Sequence, residues 1–206
     1  MSADTTFRAA LIVGLIVVLP FALYHRLKSQ ATREPLDRRQ EGVFILATLR
    51  PVGLLFWLGL IAYMVKPGSM AWSSAMLPVW LRWAGSGVSV VAAALLFWTF
   101  RSLGPNLTDT VVTRRAHTLI TDGPYRWVRH PFYDSMALLI LGTSLMTANW
   151  FLLLTGCVAF GLIVIRTRTE EAHLLARFGD VYRTYLMQTG RFVPRRGGFS
   201  RRGGVV

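Results

Sequence analysis

The chain has 206 residues, of which 53% are hydrophobic and only 16% charged, and it carries 23 Lys and Arg against 10 Asp and Glu for a net charge of +13. Its mean hydropathy is +0.43; soluble domains hold roughly 25% charged residues, so the solvent this composition fits is lipid, and the length suits one domain. The basic excess gathers at residues 26–39, 101–129 and 166–202, each beside an apolar run. That placement excludes a nucleic-acid face, which would concentrate charge on a soluble surface, and fits loops facing anionic headgroups. The single cysteine, Cys157, sits in an apolar run, so it forms no intrachain disulfide and reads as a small buried hydrophobe.

A transmembrane helix needs about 20 mostly apolar residues. The first candidate is residues 7–25, with Pro20 as an expected kink; it is long for a signal-peptide core and is followed by no small-residue cleavage site, so it reads as a retained helix. The second is 43–65, interrupted by Arg50–Pro51, where Arg50 is expected to snorkel or pair with a loop acid. The third is 79–100. Residues 136–165 are too long for one span and short for two, and Asn149 supplies a turn, so a tight helical hairpin is expected.

Charge sets the orientation. The loop at 26–39 holds five basic residues, whereas Lys66 is alone between the second and third spans. The positive-inside rule then places the N-terminus outside and the polar segment and tail in the cytoplasm. From Thr167, Leu174, Phe178, Val181, Tyr182 and Tyr185 recur at helical spacing, which predicts an amphipathic interfacial helix with a break near Gly179–Asp180. Residues 195–206 read as a disordered basic tail. The expected architecture is all-α and polytopic, with about five transmembrane helices including a C-terminal hairpin, plus a cytoplasmic loop and an interfacial helix that form a pocket. It makes one integral membrane domain, with three N-terminal spans in 7–100 and a second region at 101–194.

Between the third and fourth spans lies "RSLGPNLTDTVVTRRAHTLITDGPYRWVRHPFYD", whose three prolines and two glycines forbid a long helix. It sets His117, His130, Tyr125 and Tyr133 among arginines. No second histidine follows at helical spacing, so no metal site is expected, and no nucleophile motif is present. Glu170 and Glu171 stand together at the end of the last apolar run, beside Arg166 and Arg168. Two readings of that pair stay open: a functional site, or a solvated helix N-terminus in which Thr167 and Glu170 form a capping box.

Taken together, "LGPNLT…HTLITDGPYRWVRHPFY", an apolar hairpin, and "RTRTEEAHLLARFGDVYRTYL…RFVP" resemble the isoprenylcysteine carboxyl methyltransferase family over residues 101–194. A looser similarity links the chain to membrane phospholipid N-methyltransferases, whose G-x-G in a preceding span is matched by Gly85-Ser-Gly87. The resemblance implies transfer of a methyl group from S-adenosylmethionine to a lipophilic acceptor drawn from the bilayer. Carboxyl O-methylation of an isoprenylcysteine-like acid is favoured, with a phospholipid amine, an isoprenoid or a small thiol as the alternative acceptor. It further implies His117, Leu119, Gly123, Tyr125, His130, Pro131, Tyr133, Glu170 and Glu171 as cofactor positions. Arg168, Arg166 and Arg129 are implied as holders of an acidic acceptor, ranked with Arg168 and Arg166 first, and Glu170 as a catalytic candidate. No G-x-G-x-x-G follows a strand, which excludes a Rossmann methyltransferase.

Two other classes remain open at this point. The carboxyl half of membrane sterol reductases is similar to the family and binds a nicotinamide cofactor, and a scaffold without chemistry would share the spans. The preference for arginine, 21 against 2 lysines, points to a GC-rich bacterial genome and so to a bacterial inner membrane.

Overall fold

The computed structural model describes residues 3–30, 43–104 and 118–195. Their order is α1 (Ala3–Gln30), α2 (Val43–Val65), a 3-10 turn (Pro67–Ser73), α3 (Val79–Leu103), a second 3-10 turn (Gly123–Arg126), α4 (Pro131–Thr147) and α5 (Trp150–Gln188). In lipid every backbone polar group has to be satisfied internally, and runs of about 20 apolar residues achieve this as helices, each within its own segment. Among the described residues, four helices are long and apolar enough to cross a membrane. α4, with 17 residues, spans about 26 Å at the helical rise and is the fourth segment in chain order, one arm of a hairpin with α5. Large side chains such as Val13, Ile16, Leu54, Leu58 and Val91 face outward, as lipid-facing positions do. Cys157 is among the exposed positions and not the buried ones.

The helices meet through small residues. A Cβ added at Gly85 of α3 would lie 2.6 Å from Leu145 Cβ and 2.8 Å from Gly142 O of α4. Such close crossings are the usual reason for glycine inside membrane helices. Gly85 therefore serves packing, and Gly87, its partner in the G-x-G, faces open space.

At one end of the bundle the connections lock together. Ala148 takes the left-handed conformation (φ 50°, ψ 49°) between α4 and α5. Asn149 caps α5 by accepting from Leu152 N at 3.0 Å and donates to Ser73 Oγ at 2.8 Å. Arg82, buried in α3, donates to Met146 O (3.0 Å) and Tyr63 Oη (3.3 Å), pairs with Asp4 (2.8 Å) and lies 4.2 Å from the Phe7 ring centre. One guanidinium thus joins α1, α2, α3 and α4.

Two sequence expectations change. α5 runs without interruption through Thr167, so the amphipathic stretch is the extension of the fifth span and not a separate helix; the break falls at Gly179 (φ 54°, ψ −129°). Thr167 Oγ1 donates back to Val164 O at 2.7 Å within that helix, which removes the capping-box reading of Thr167 and Glu170. α2 also continues through Pro51 without interruption, and Arg50 is exposed.

Candidate active site

At the end opposite Arg82, the chain between α3 and α4 folds onto the polar length of α5. Gly123, at φ 62°, starts the second 3-10 turn. Any Cβ there would strike Ser102 Oγ, so the turn is seated directly on the end of α3. The chain then runs to His130, and the buried Pro131 opens α4, its fixed φ and missing N–H suiting the first helical position.

The two adjacent glutamates have different surroundings. Glu171 is buried and accepts from Arg129 Nε (2.9 Å), contacts His130 Nε2 (3.2 Å) and accepts from two nitrogens of the Arg191 guanidinium, Nη2 and Nε, the latter at 3.1 Å. Arg129 also donates to the carbonyls of Leu186, at 3.2 Å, and Thr189. Backbone bonds from Arg129 N to Gly190 O (2.8 Å) and from His130 N to Arg191 O (3.2 Å) lay the segment after α5 alongside this stretch. Phe192 packs against His130. Glu171 is therefore the centre of a clasp that fastens the C-terminal strap.

Glu170 points elsewhere. Its Oε2 accepts from Tyr133 Oη at 2.8 Å, and it borders a cavity of about 1180 Å³. Around the same end stand Leu119, Tyr125, Arg129, His130, Tyr133 and Arg166, with Tyr182 and Tyr185 of α5 closing it. Tyr185 Oη donates to Tyr125 O at 2.7 Å, which fixes the turn over the cavity. Desolvation by its surroundings, and then the charge of Glu170, push the Tyr125 phenol well above its usual range. From this end the cavity continues along α1, α2 and α3 past Phe97, Val90, Gly53, Gly14 and Leu60. The wall there is mostly hydrocarbon, with Ser86 and Ser89 of α3 among it.

Of the residues singled out in the sequence, Leu119, Tyr125, His130, Tyr133 and Glu170 border the cavity, as do Arg166 and Arg129. Gly123, Pro131 and Glu171 shape it from behind. Arg168 is exposed and is not among the lining residues: two positions from Arg166, it lies on nearly the opposite side of a helix with 3.6 residues per turn. Arg129, with a side chain 11% exposed, is not free for a headgroup. His173 makes a local 2.7 Å contact to Thr169 O, and His117 lies outside the described residues. Arg191 and Arg82 went unassigned in the sequence. Arg191 stands in the quoted "RFVP", but nothing in a lone arginine after a helix marks it as a partner of Glu171.

Fold and site together define a multi-pass, all-helical membrane protein with a cavity that is polar and aromatic at one end and apolar along the rest. The isoprenylcysteine carboxyl methyltransferase family model matches residues 85–176, just under half of the chain, and the resemblance seen in the sequence holds over that segment. A protein-S-isoprenylcysteine O-methyltransferase of Schizosaccharomyces pombe is 35% identical over 94 residues, covering 44% of this chain and 40% of that protein. A methanethiol S-methyltransferase of a Pseudomonas species is 28% identical over 93% of this chain and 76% of its own length. The first curated relatives are matched over only 40% and 32% of their length. A solved structure of the eukaryotic intramembrane Ras methyltransferase shares the fold, with a TM-score of 0.54 at 21% identity, over 93% of this chain and 75% of that one.

Proposed function

We propose that the chain is a membrane methyltransferase that uses S-adenosylmethionine and takes an amphiphilic acceptor laterally from the bilayer. The observation that carries this reading is the single cavity with two chemically different ends. Sites for one small ligand run to roughly 300–1,000 Å³; at about 1180 Å³ this one exceeds that range and has room for a cofactor and an apolar chain together.

The residues present fit the cofactor. Glu170 offers carboxylate oxygens to a ribose diol, and the Tyr125 and Leu119 side chains offer a flat apolar surface to an adenine ring. Tyr133 holds Glu170 by its hydroxyl and so fixes where those oxygens point. The cofactor would supply an electrophilic methyl group, and everything else is positioning in a site screened from water. Arg166 and Arg129 both border the cavity and would attract an anionic acceptor. A carboxylate is nucleophilic at neutral pH and needs no base. An isoprenylcysteine-like acid is therefore the favoured acceptor.

A thiol is the second reading, supported by the long alignment to the methanethiol enzyme. It would require deprotonation, for which His130, braced by Glu171, is the candidate. The charge distribution supports a cytoplasmic active site with the N-terminus outside, in a single integral domain whose chemistry resides in residues 101–194. Calorimetry on the detergent-purified protein tests the cofactor: S-adenosylhomocysteine is expected to bind at micromolar concentration and NADPH not at all. The reverse result would make the chain a reductase, and binding of neither a scaffold.

A further inference from the structure

On the far side of the α3–α4 pair from the large cavity lies a second, open groove of about 450 Å³, and the two share no lining residue. Its walls are Trp98 of α3, Trp127 and Pro124 of the second 3-10 turn and its end, Phe192 of the strap, and Asp134 in the first turn of α4. Leu95 and Leu138 continue it along the helices into the apolar belt. Both indoles are nearly half exposed, Trp98 at 49% and Trp127 at 44%.

The feature that demands an explanation is Asp134. The chain has 23 basic residues and 10 acidic ones, so a carboxylate should find an arginine easily. Among the described residues the Asp134 side chain has neither an ion pair nor a hydrogen bond. Burial pushes the Asp134 carboxyl up to about 7, a shift that the field of its neighbour His130 only partly opposes, and the His130 Nε2 stands against Glu171. The helix dipole favours an acid in this first turn but does not account for two tryptophans and a phenylalanine gathered around it. An acid that lines one groove with two indoles is a site for an ammonium group, whose charge favours the ionised carboxylate and which gains from the rings as well. At the rim, Arg126 lies over the Trp127 ring, 5.5 Å from its centre, where its guanidinium is available to a phosphate.

We infer that this groove binds a phospholipid with a primary ammonium headgroup, phosphatidylethanolamine. Its ammonium sits at Asp134 between Trp98 and Trp127, its phosphate at Arg126, and its acyl chains lie along Leu95 and Leu138. Arginine clusters alone would select anionic lipid; the lone acid inverts that preference at one place on the surface. The bound lipid is not the methyl acceptor, because the groove does not open into the large cavity. It is a resident lipid that fills the seam between the α3–α4 pair and the strap.

The test is lipid retention by the full chain, transferred from membranes or vesicles containing equal phosphatidylethanolamine and phosphatidylglycerol with matched acyl chains. Native mass spectrometry would read the lipids still bound after detergent exchange. The unchanged protein is expected to keep one phosphatidylethanolamine. The ratio of the two lipids should fall roughly tenfold in Asp134→Asn, as expected for one charge-assisted contact, and be restored in Asp134→Glu. A shortened chain ending at Arg195 should keep the preference. The assignment is overturned by unchanged protein that retains no phosphatidylethanolamine, by an unaltered ratio in Asp134→Asn, or by loss of the preference on removing residues 196–206, which would move recognition to the basic tail.

Discussion

Adjacent residues on a helix point about 100° apart, and Glu170 and Glu171 show how much that rotation decides. Glu171 faces Arg129, His130 and Arg191, whereas Glu170 faces Tyr133 and the cavity. Their substitutions should therefore separate. Glu171→Gln leaves two guanidinium groups without their anion, and breaking a buried pair costs about 3 kcal/mol or more, somewhat less here because Arg191 is 34% exposed. Thermal unfolding in detergent should register this as a large drop in melting temperature. Glu170→Ala should leave the melting temperature nearly unchanged and weaken S-adenosylhomocysteine roughly tenfold, the loss of one charged hydrogen-bond acceptor. The arginines separate by the same logic. Arg166→Ala is expected to raise the Michaelis constant of an anionic acceptor severalfold, and Arg168→Ala, on the exposed face, to leave it unchanged; equal effects would contradict the placement of the cavity.

At the scale of elements, the hairpin turn carries strain that a substitution can relieve. A non-glycine residue in the left-handed region costs about 1 kcal/mol, and Ala148 is such a residue. Ala148→Gly should raise the stability by up to that amount and the melting temperature by a few degrees. The turn itself was legible in the sequence, since Asn149 is a polar, cap-forming residue in an otherwise apolar run and caps α5 as its chemistry allows. The break at Gly179 was legible for a similar reason. The start of the amphipathic stretch was not: the change from apolar to polar at Thr167 is a change of solvent, not of backbone, and a helix leaving the membrane continues through it. The cavity members were read through a pattern of motifs, and the strap was not, because its bonds to Arg129 and His130 are backbone pairings between segments about 60 residues apart, which leave no periodic trace.

Over the whole molecule, the proposed function makes the apolar part of the cavity the part that selects the acceptor. Gly14 and Gly53 border it, and a Cβ at either meets no atom within 4 Å. Larger side chains would be accommodated there at the expense of the acceptor. Gly53→Leu should lower kcat/KM for a long isoprenoid or acyl acceptor by tenfold or more, roughly the contribution of two buried methylenes, and hardly affect a short one. Assay of a chain-length series would show the cut-off moving to shorter acceptors. A uniform loss at all lengths would mean that the chain does not lie along α2.

The Arg82 junction gives this molecule a direction of movement. With α1, α2, α3 and α4 bonded through one guanidinium at one end, any parting of the helices pivots there, as the arms of a pair of tweezers part from their joined base. Displacement then grows with distance from the pivot and is greatest near Tyr125 and Glu170. Under the proposed function, the end of the bundle that parts most is the end at which the acceptor's polar head would react, and the joined end is where its apolar tail would lie.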